Sequence, residues 1–267
     1  MKPVQKNYTL ITGGSAGIGL ELAKLFASDG YNLILVARDN SELQNAKSLL
    51  KEEGIDVITI SKDLSEPDAA FELYDEINSQ GLIVDTLVNN AGQGVYGLFE
   101  ETDIRRELAI VQLNISSLIV LTKQFLKDML DRGQGKILNL SSIASKTPGP
   151  WQSVYHGTKA FVQSFTEAIR SELSDSNITV TALLPGATDT DFFNKADMLD
   201  SKAVQDKDKL ADAATVAKDG YEALMKGDDK VISGFKNKAT VAMTNLMTDS
   251  AAADAMKKQQ QPINISK

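Results

Sequence analysis

Residues 8–19 read Tyr8-Thr9-Leu10-Ile11-Thr12-Gly13-Gly14-Ser15-Ala16-Gly17-Ile18-Gly19, and this stretch decides the fold. Its first five residues are apolar, aromatic or β-branched and predict a short strand. Residues 20–26 repeat apolar side chains at helical spacing and predict a helix after the glycines. The glycines permit a tight turn and let backbone N–H groups approach a pyrophosphate, which the positive end of the helix also attracts. The stretch therefore predicts a strand, a phosphate-binding turn and a helix.

Along the rest of the chain, β-type runs alternate with longer amphipathic stretches. The further predicted strands cover residues 33–36, 57–60, 86–88, 136–140, 178–183 and 230–233. Such alternation predicts an α/β fold with a doubly wound parallel sheet of about seven strands and helices on both faces. Because no Pro/Gly/Ser-rich linker and no internal repeat divides the chain, we expect a single domain.

Length and composition limit the classes of function. A chain of 267 residues with 42% hydrophobic residues can fill one sizeable core. The net charge of −8 and the pI near 4.8 disfavour a nucleic-acid or anionic-membrane partner. The absence of cysteine excludes disulfides and thiolate chemistry. The chain opens on no apolar signal segment and its longest apolar runs are a few residues, so we expect a cytoplasmic protein.

Tyr155 and Lys159 lie four positions apart in a predicted helix and therefore share one face. The pKa of a tyrosine is normally about 10, so proton exchange near neutrality requires a shift of about 3 units, or roughly 4 kcal/mol. A unit charge about 4 Å away supplies an energy of that order. Such pairs also occur by chance on helix surfaces, so their meaning depends on the other motifs.

Several further motifs accompany this pair in a fixed order. The glycines follow the spacing Gly-x-x-x-Gly-x-Gly, and Ser142 stands thirteen residues before Tyr155. The remaining motifs are Asn89-Asn90-Ala91-Gly92 after the fourth predicted strand, Asn114, Pro185-Gly186 and Thr190. Over residues 8–190 this pattern resembles the short-chain dehydrogenase/reductase (SDR) family in its short, classical branch.

The resemblance implies a Rossmann-type fold in which residues 1–236 form a single domain with the cofactor and substrate sites. A substrate lid is expected at about residues 191–212. Residues 237–267 are expected to form a C-terminal helix and a flexible tail. A surface helix with a frayed end is the favoured interpretation there, and a substrate-covering or subunit-contacting role stays open.

The resemblance also implies catalytic roles for Asn114, Ser142, Tyr155 and Lys159. Tyr155 would exchange a proton with the substrate oxygen while hydride passes between a nicotinamide and carbon, and Ser142 would donate a second hydrogen bond to that oxygen. Lys159 would lower the pKa of Tyr155 and hold the nicotinamide ribose, while Asn114 would anchor a water. The expected activity is NADP(H)-dependent oxidation or reduction of a small carbonyl or alcohol substrate, without a metal.

The same resemblance implies a set of cofactor-binding residues distributed over the chain. They are Gly13, Ser15, Ala16, Gly17, Ile18, Gly19, Arg38, Asp63, Leu64, Asn90, Ala91, Gly92, Tyr155, Lys159, Pro185, Gly186, Thr188 and Thr190. Asp63 would bind the adenine amino group, or else serve only as a capping or loop aspartate. Thr188 stands where the family usually has a β-branched apolar residue, a departure that leaves its backbone role intact.

The choice of cofactor depends on the end of the second strand. NAD-preferring relatives carry an acidic residue where this chain has Ala37, and Arg38 follows immediately. A missing carboxylate beside a guanidinium favours NADP(H) over NAD(H), because the planar Arg fork suits a phosphate. In the alternative, Asp39 binds ribose and Arg38 faces solvent. The pattern Ser41-x-x-Gln44 indicates a helix capping box, which places Asp39 before the cap.

Three further features near the motifs can each be interpreted in more than one way. His156 is expected to face another helix or solvent, since adjacent helical residues point about 100° apart. Trp151 either walls the substrate pocket or packs in the core. In the expected lid, Phe192, Phe193, Met198 and Leu199 indicate either an apolar substrate or an ordinary covering helix.

Other functions remain in view. An NAD-dependent alcohol dehydrogenase of the same family is the main alternative, and a catalytically silent nicotinamide sensor is disfavoured because all four catalytic positions are filled. An extended-branch sugar-nucleotide epimerase or dehydratase would need a different glycine spacing and a longer C-terminal domain. From the family we expect a homo-oligomer, a dimer or tetramer, formed through helices near residues 105–130 and 152–173.

Overall fold

The computed structural model of the protein describes residues 6–263. Within this range one parallel sheet contains seven strands in the order β3-β2-β1-β4-β5-β6-β7. The strands are β1 (Asn7–Thr12), β2 (Asn32–Ala37), β3 (Val57–Ser61), β4 (Ile83–Asn89), β5 (Gly135–Leu140), β6 (Ile178–Leu184) and β7 (Lys230–Ile232). All seven predicted strands are confirmed, and the largest difference is at β4, which begins at Ile83 instead of residue 86.

The helices alternate with the strands as expected for a doubly wound sheet. They are α1 (Gly17–Ser28), α2 (Asn40–Leu50), α3 (Ala69–Ser79), α4 (Ile104–Val111), α5 (Ser117–Arg132), α6 (Ser153–Glu172), α7 (Phe192–Lys195), α8 (Ala213–Lys226), α9 (Phe235–Thr244) and α10 (Asp249–Gln260). The predicted capping box at Ser41 is wrong. Asp39 caps α2 instead, because its carboxylate accepts from the backbone N–H groups of Ser41 and Glu42.

Both faces of the sheet are buried, as the apolar strands require. Leu10 and Ile34 face the side covered by α3 and α5, where Phe125 is fully buried. Their neighbours in the chain, Ile11 and Leu35, face the side covered by α1, α2 and α8. The period of two in each strand therefore divides the apolar residues between two cores.

One helical segment, Ile104–Arg132, is 29 residues long and has a mean hydropathy of 1.4 over its most apolar window. By length and composition alone, this segment could cross a membrane. The short apolar runs of the sequence did not predict such a segment. Core helices of water-soluble proteins share this property, and here Leu121, Phe125 and Met129 are buried in the core beside the sheet. A π-helical turn, Gln112–Ser116, interrupts the segment between α4 and α5.

The C-terminal region differs from the expected division at residue 236. Helix α9 spans that position, and Asn237 lies so close to Gly186 that a side chain at Gly186 would collide with it. Helices α9 and α10 are largely exposed, as expected of a surface region, but the end of α10 makes specific contacts. Gln260 is 5% exposed, and the backbone N–H of Ile263 donates to Asp200 O at 3.0 Å. The last four residues of the expected flexible tail lie outside the described range.

Candidate active site

The candidate site lies along one edge of the sheet, where the parallel strands end. The loops after β1, β2, β3, β4, β5 and β6 all open on this edge, as in other doubly wound sheets. Two side chains come from elsewhere, since Tyr155 and Lys159 lie on α6. Residues far apart in sequence are thereby brought to a single groove.

The glycine turn forms a cradle at the start of α1. Gly13 has a φ of +65°, which a side chain would strain. A side chain at Gly19 would collide with the carbonyl of Gly13 and the amide of Asn90. Ala16, the N-cap of α1, makes no side-chain capping bond. The first N–H groups of the helix can therefore bind an anion. The predicted set from Gly13 to Gly19 thus fits a pyrophosphate.

The loop after β4 holds this turn in place. Asn90 Nδ2 donates to Thr12 O at 2.8 Å and to Gly13 O at 3.1 Å. Thr12 Oγ1 in turn accepts from the N–H groups of Asn90 and Ala91, each at 3.0 Å. In this structure the side chain of Asn90 therefore shapes the predicted cofactor groove.

Charged side chains cluster at the ends of β2 and β3. Arg38 Nη1 lies 3.8 Å from Asp63 Oδ2, and both side chains are partly exposed. Asp63 Oδ1 also accepts from Ser65, which makes it a loop-stabilising aspartate as well. Its neighbour Leu64 is buried in the core instead of facing the groove. At this edge of the groove, the Arg38 guanidinium therefore lies close to the Asp63 carboxylate.

Two carboxylates border the same corner. Asp39 Oδ1 accepts from Ser41 Oγ at 2.6 Å and from its N–H at 2.7 Å, and these hydrogen bonds hold the pKa of Asp39 below its usual value. Glu42 Oε2 accepts from Ser15 Oγ at 2.9 Å. Asp39 is consequently engaged in capping α2, and the hydroxyl of Ser15 points toward that helix.

The side chains of Ser142, Tyr155 and Lys159, which are predicted to be catalytic, lie where β5 and α6 meet. Lys159 is 6% exposed, and its Nζ donates to Leu140 O at 2.8 Å and lies 5.9 Å from the centre of the Tyr155 ring. Ser142 Oγ lies 3.4 Å from Pro185 O and accepts from the N–H of Ala144. The structure thus brings Ser142, Tyr155 and Lys159 together as predicted.

Burial sets the protonation of these groups. Desolvation raises the pKa of Tyr155 to about 12, and the hydroxyl of Ser142 offsets only part of this rise. Desolvation likewise lowers the pKa of Lys159 to about 8. In this arrangement the Lys159 ammonium faces the backbone carbonyl of Leu140, and its expected effect on the pKa of Tyr155 stays a prediction. Near neutral pH the phenol holds its proton.

Asn114 lies in the π-helical turn, a distortion often found at functional sites. Its Nδ2 donates to Gln93 O at 2.9 Å and to Thr158 Oγ1 at 3.0 Å, and its Oδ1 accepts from the N–H of Gln93. A β-carbon at Gly92 would lie 3.3 Å from both Asn114 Oδ1 and Lys159 Nζ. Gly92 therefore keeps open the gap in which Asn114 is predicted to anchor a water.

The loop after β6 closes the groove opposite the glycine turn. The buried Thr188 donates to Gly186 O at 3.0 Å, and its backbone forms a bridge with Ala211. Thr190 reaches the glycine turn, since a β-carbon at Gly17 would lie 3.0 Å from Thr190 Cγ2. Pro185 is buried beneath the loop. These predicted residues consequently lie on the same groove as the glycines.

The expected lid packs against Tyr155 through one aromatic ring. The ring of Phe192 packs against that of Tyr155 with centroids 5.2 Å apart, whereas Met198 is buried in a small cluster within the lid and Leu199 is 58% exposed. Trp151, half-buried, has a φ of +64° and its carbonyl accepts from Gly97. Of the aromatic lid residues, Phe192 is the one beside the reactive group.

Sequence reasoning missed a buried polar chain behind Tyr155. His156, 4% exposed, faces away from the reactive groups, with Nδ1 2.8 Å from Thr147 O and Nε2 3.0 Å from Gln260 Nε2. Gln260 Nε2 also donates to Gln152 Oε1 at 3.3 Å. The backbone carbonyl of Gln260 accepts from the hydroxyls of Tyr96 and Ser201. No sequence signal pairs residues 108 apart, so only the fold could reveal the contact between Gln152 and Gln260.

A glycine turn at a helix N-terminus, beside a buried lysine and a partly buried tyrosine and serine, defines a dinucleotide-binding oxidoreductase. The chain belongs to the short chain dehydrogenase family, whose profile matches residues 7–199. Members of this family use a nicotinamide cofactor and interconvert CH–OH and C=O groups. The family prediction is thereby confirmed.

Several known proteins are similar to this chain. A short chain dehydrogenase of Pseudocercospora fijiensis is 31% identical over 70% of this chain and 62% of its own length. Dehydrogenase/reductase SDR family member 7B of Mus musculus is 30% identical over 84% of this chain and 72% of its own. A short-chain dehydrogenase from Sphingobium yanoikuyae, solved in complex with NADPH, is 26% identical with a TM-score of 0.81, covering 98% and 99% of the two chains.

Proposed function

We propose that this protein is an NADP(H)-dependent reductase that converts a carbonyl substrate into the corresponding alcohol. The observation that carries the proposal is the position of the Tyr155 phenol beside Ser142 and the buried Lys159, at the edge of a dinucleotide groove. A phenol that keeps its proton at neutral pH is a donor, and a donor is what a carbonyl oxygen needs when its carbon is reduced.

In the proposed reaction Tyr155 gives its proton to the carbonyl oxygen. Ser142 donates a second hydrogen bond to the same oxygen, so two donors meet the negative charge as it develops. Interactions that strengthen as charge develops lower the barrier more than interactions already complete in the bound substrate. The nicotinamide, when bound, supplies the hydride that reaches the carbonyl carbon.

Lys159 and Asn114 serve the same step. After donating, Tyr155 carries a negative charge, which the buried ammonium of Lys159 stabilises from the same face of α6. The open gap between Lys159 and Asn114 gives a water room to return a proton toward Tyr155. By stabilising the tyrosinate relative to the phenol, Lys159 would lower the pKa of Tyr155.

The choice of NADP(H) follows from the charges at the end of β2. Arg38 presents a partly exposed guanidinium at the groove, and its partner Asp63 is 3.8 Å away, longer than a close ion pair. Asp39, the residue that would favour NAD(H), already caps α2. The NADPH complex of the similar Sphingobium protein supports the same preference.

One observation favours a second candidate, an NAD(H)-dependent alcohol dehydrogenase. Glu42 accepts a hydrogen bond from Ser15 at the corner where a 2′-phosphate would lie. A carboxylate there repels phosphate unless its side chain turns toward solvent. The two candidates share the catalytic residues and differ in cofactor and direction.

Variants at this corner separate the two candidates. Arg38→Ala should weaken NADPH binding by about tenfold or more and leave NADH within about twofold, since charge-assisted hydrogen bonds contribute about 1.5–3 kcal/mol. Glu42→Gln should tighten NADPH. Cofactor fluorescence gives the dissociation constants of NADPH and NADH for the unmodified protein and each variant, and kcat/KM with one shared ketone gives the preference in turnover.

Arg38→Lys is the matched control, because it keeps the charge and loses the planar fork. Its affinity for NADPH should fall between those of the unmodified protein and Arg38→Ala. Equal weakening of both cofactors by Arg38→Ala would show that Arg38 does not bind the 2′-phosphate. A preference for NADH in the unmodified protein would favour the second candidate.

The oligomeric state and the cellular location of the protein stay predictions. Exposed apolar side chains on the helices expected to form subunit contacts, such as Leu108 on α4 and Phe161 on α6, support a dimer or tetramer. A cytoplasmic protein without nucleic-acid or membrane partners is the proposal that the acidic composition supports.

A further inference from the structure

Gln152 is a buried polar residue that the mechanism above does not use. It lies three residues before Tyr155 and is 4% exposed. Its Nε2 is buried without a hydrogen-bond partner among the described residues. A buried donor left unpaired costs about 1–3 kcal/mol, so a donor in this position needs an explanation.

The direction of this amide is fixed by its neighbours. Burial lowers the pKa of His156, so its ring is neutral near pH 7. His156 Nδ1 lies 2.8 Å from the Thr147 carbonyl, an acceptor only, so Nδ1 carries the proton and Nε2 accepts. The Gln260 atom 3.0 Å from Nε2 must then be nitrogen.

The same reasoning extends to Gln152. The Gln152 atom that faces the Gln260 nitrogen at 3.3 Å must be its oxygen, so the NH2 group points the other way. On that side a β-carbon at Gly94 would lie 3.3 Å from Gln152 Nε2, 3.4 Å from Tyr155 Cδ2 and 2.9 Å from Phe192 Cζ. The donor therefore borders the space between the catalytic ring and the lid.

We propose that the amide N–H of Gln152 binds a second oxygen of the substrate, next to the carbonyl that Tyr155 protonates. The inference rests on the proposed function. Phe192 covers the amide in this arrangement, so the lid must shift for a substrate to reach it. The amide carries no charge to balance a buried anion, so we expect a neutral acceptor, and the substrate class is a ketone with an adjacent carbonyl, hydroxyl or ester oxygen.

Gln260 is the positioning residue for this contact. It comes from the end of α10 and holds the oxygen of Gln152, which keeps the NH2 group directed at the site. Hydrogen bonds from Tyr96 and Ser201 to the Gln260 carbonyl fix its backbone against the lid. The C-terminal helix thus contributes to the substrate site through a single side chain.

The test compares two ketones of nearly equal size, 2,3-butanedione and 3-methyl-2-butanone, in which a methyl group takes the place of the second oxygen. With NADPH, Gln152→Leu should lower kcat/KM for the dione about tenfold more than for the plain ketone, the factor expected for one lost hydrogen bond. Gln260→Met should lower the same ratio by a smaller factor. NADPH affinity, measured by fluorescence, should be unchanged in both variants.

Each other outcome has a defined meaning. Equal losses for the two ketones in Gln152→Leu would contradict the inference and leave the proposed function intact. If Gln152→Leu fails to fold, the ratio in Gln260→Met decides, and an unchanged ratio there contradicts the inference. An unmodified protein that oxidises NADPH with neither ketone would contradict the proposed function, and this inference with it.

Discussion

At the residue scale, the sequence predicted which side chains lie together at the site but not their charge states. Tyr155 and Lys159 share a helix face because they are four residues apart, and this much follows from helical geometry. Their protonation depends on how deeply the lid, β5 and α6 bury them, which spacing does not record. Burial raises the pKa of the phenol and lowers that of the ammonium, because it disfavours the charged form of each group.

The buried ammonium of Lys159 should make the stability depend on pH. Its pKa is about 8 in the folded protein and about 10.4 in an unfolded chain. Below pH 8 folding must bury the charge, and this cost disappears as pH rises from 8 toward 10.4, because only the unfolded state then binds the proton. Lys159→Met should therefore be more stable than the unmodified protein at pH 7, with a smaller difference at pH 9.5.

Urea unfolding at the two pH values measures this difference in the free energy of unfolding. Lys123→Met, on the exposed side of α5, removes a lysine charge without burial and serves as the control. A stability difference for Lys159→Met that is the same at both pH values would show that the ammonium is not destabilised by burial.

At the scale of elements, the start of α2 shows how a local pattern can mislead. Ser41 and Gln44 have the spacing of a capping box, yet the helix begins one residue after Asp39, whose carboxylate accepts the first N–H groups. Both Ser and Asp are good N-caps, so the choice between them depends on where β2 ends. The position of the cap matters because it decides whether Asp39 is free to bind ribose.

Asp39→Ala separates the two roles of this carboxylate. Loss of an N-cap should lower the free energy of unfolding by about 1 kcal/mol, which is about 2–4 °C in melting temperature for a chain of this size. The dissociation constants for NADPH and NADH should not change. Thermal unfolding and cofactor fluorescence on the same preparation check both statements.

Asp39→Asn is the matched variant, because asparagine also caps helices, and it should retain most of the stability. A selective loss of NADH affinity in Asp39→Ala, with unchanged stability, would mean that Asp39 binds ribose and that α2 does not depend on it.

The contacts at the end of the C-terminal helix were beyond prediction for a different reason. Residues 249–260 are polar and show a weak apolar pattern, which is typical of a surface helix. A few specific polar contacts, made by the side chain of Gln260 and by the backbone of Ile263, attach the end of this helix to the rest of the fold. Single long-range hydrogen bonds leave no periodic trace in a sequence.

At the scale of the whole molecule, the fold was predictable because its signals repeat. Seven apolar runs separated by amphipathic helices allow few arrangements other than a doubly wound parallel sheet. The glycine turn and the loops at the strand ends could be assigned for the same reason, since parallel strands bring their carboxyl ends to one edge. What could not be predicted are contacts between loops and the C-terminal region, such as those of Gln152, Phe192 and Gln260.

The central claim is that Tyr155 donates the proton in a reduction driven by NADPH. The most direct test follows NADPH oxidation at saturating ketone in the unmodified protein and in Tyr155→Phe, together with NADPH binding. We predict unchanged binding and a loss of at least about a hundredfold in turnover, as expected when a general acid is removed. Turnover near that of the unmodified protein in Tyr155→Phe would contradict the claim.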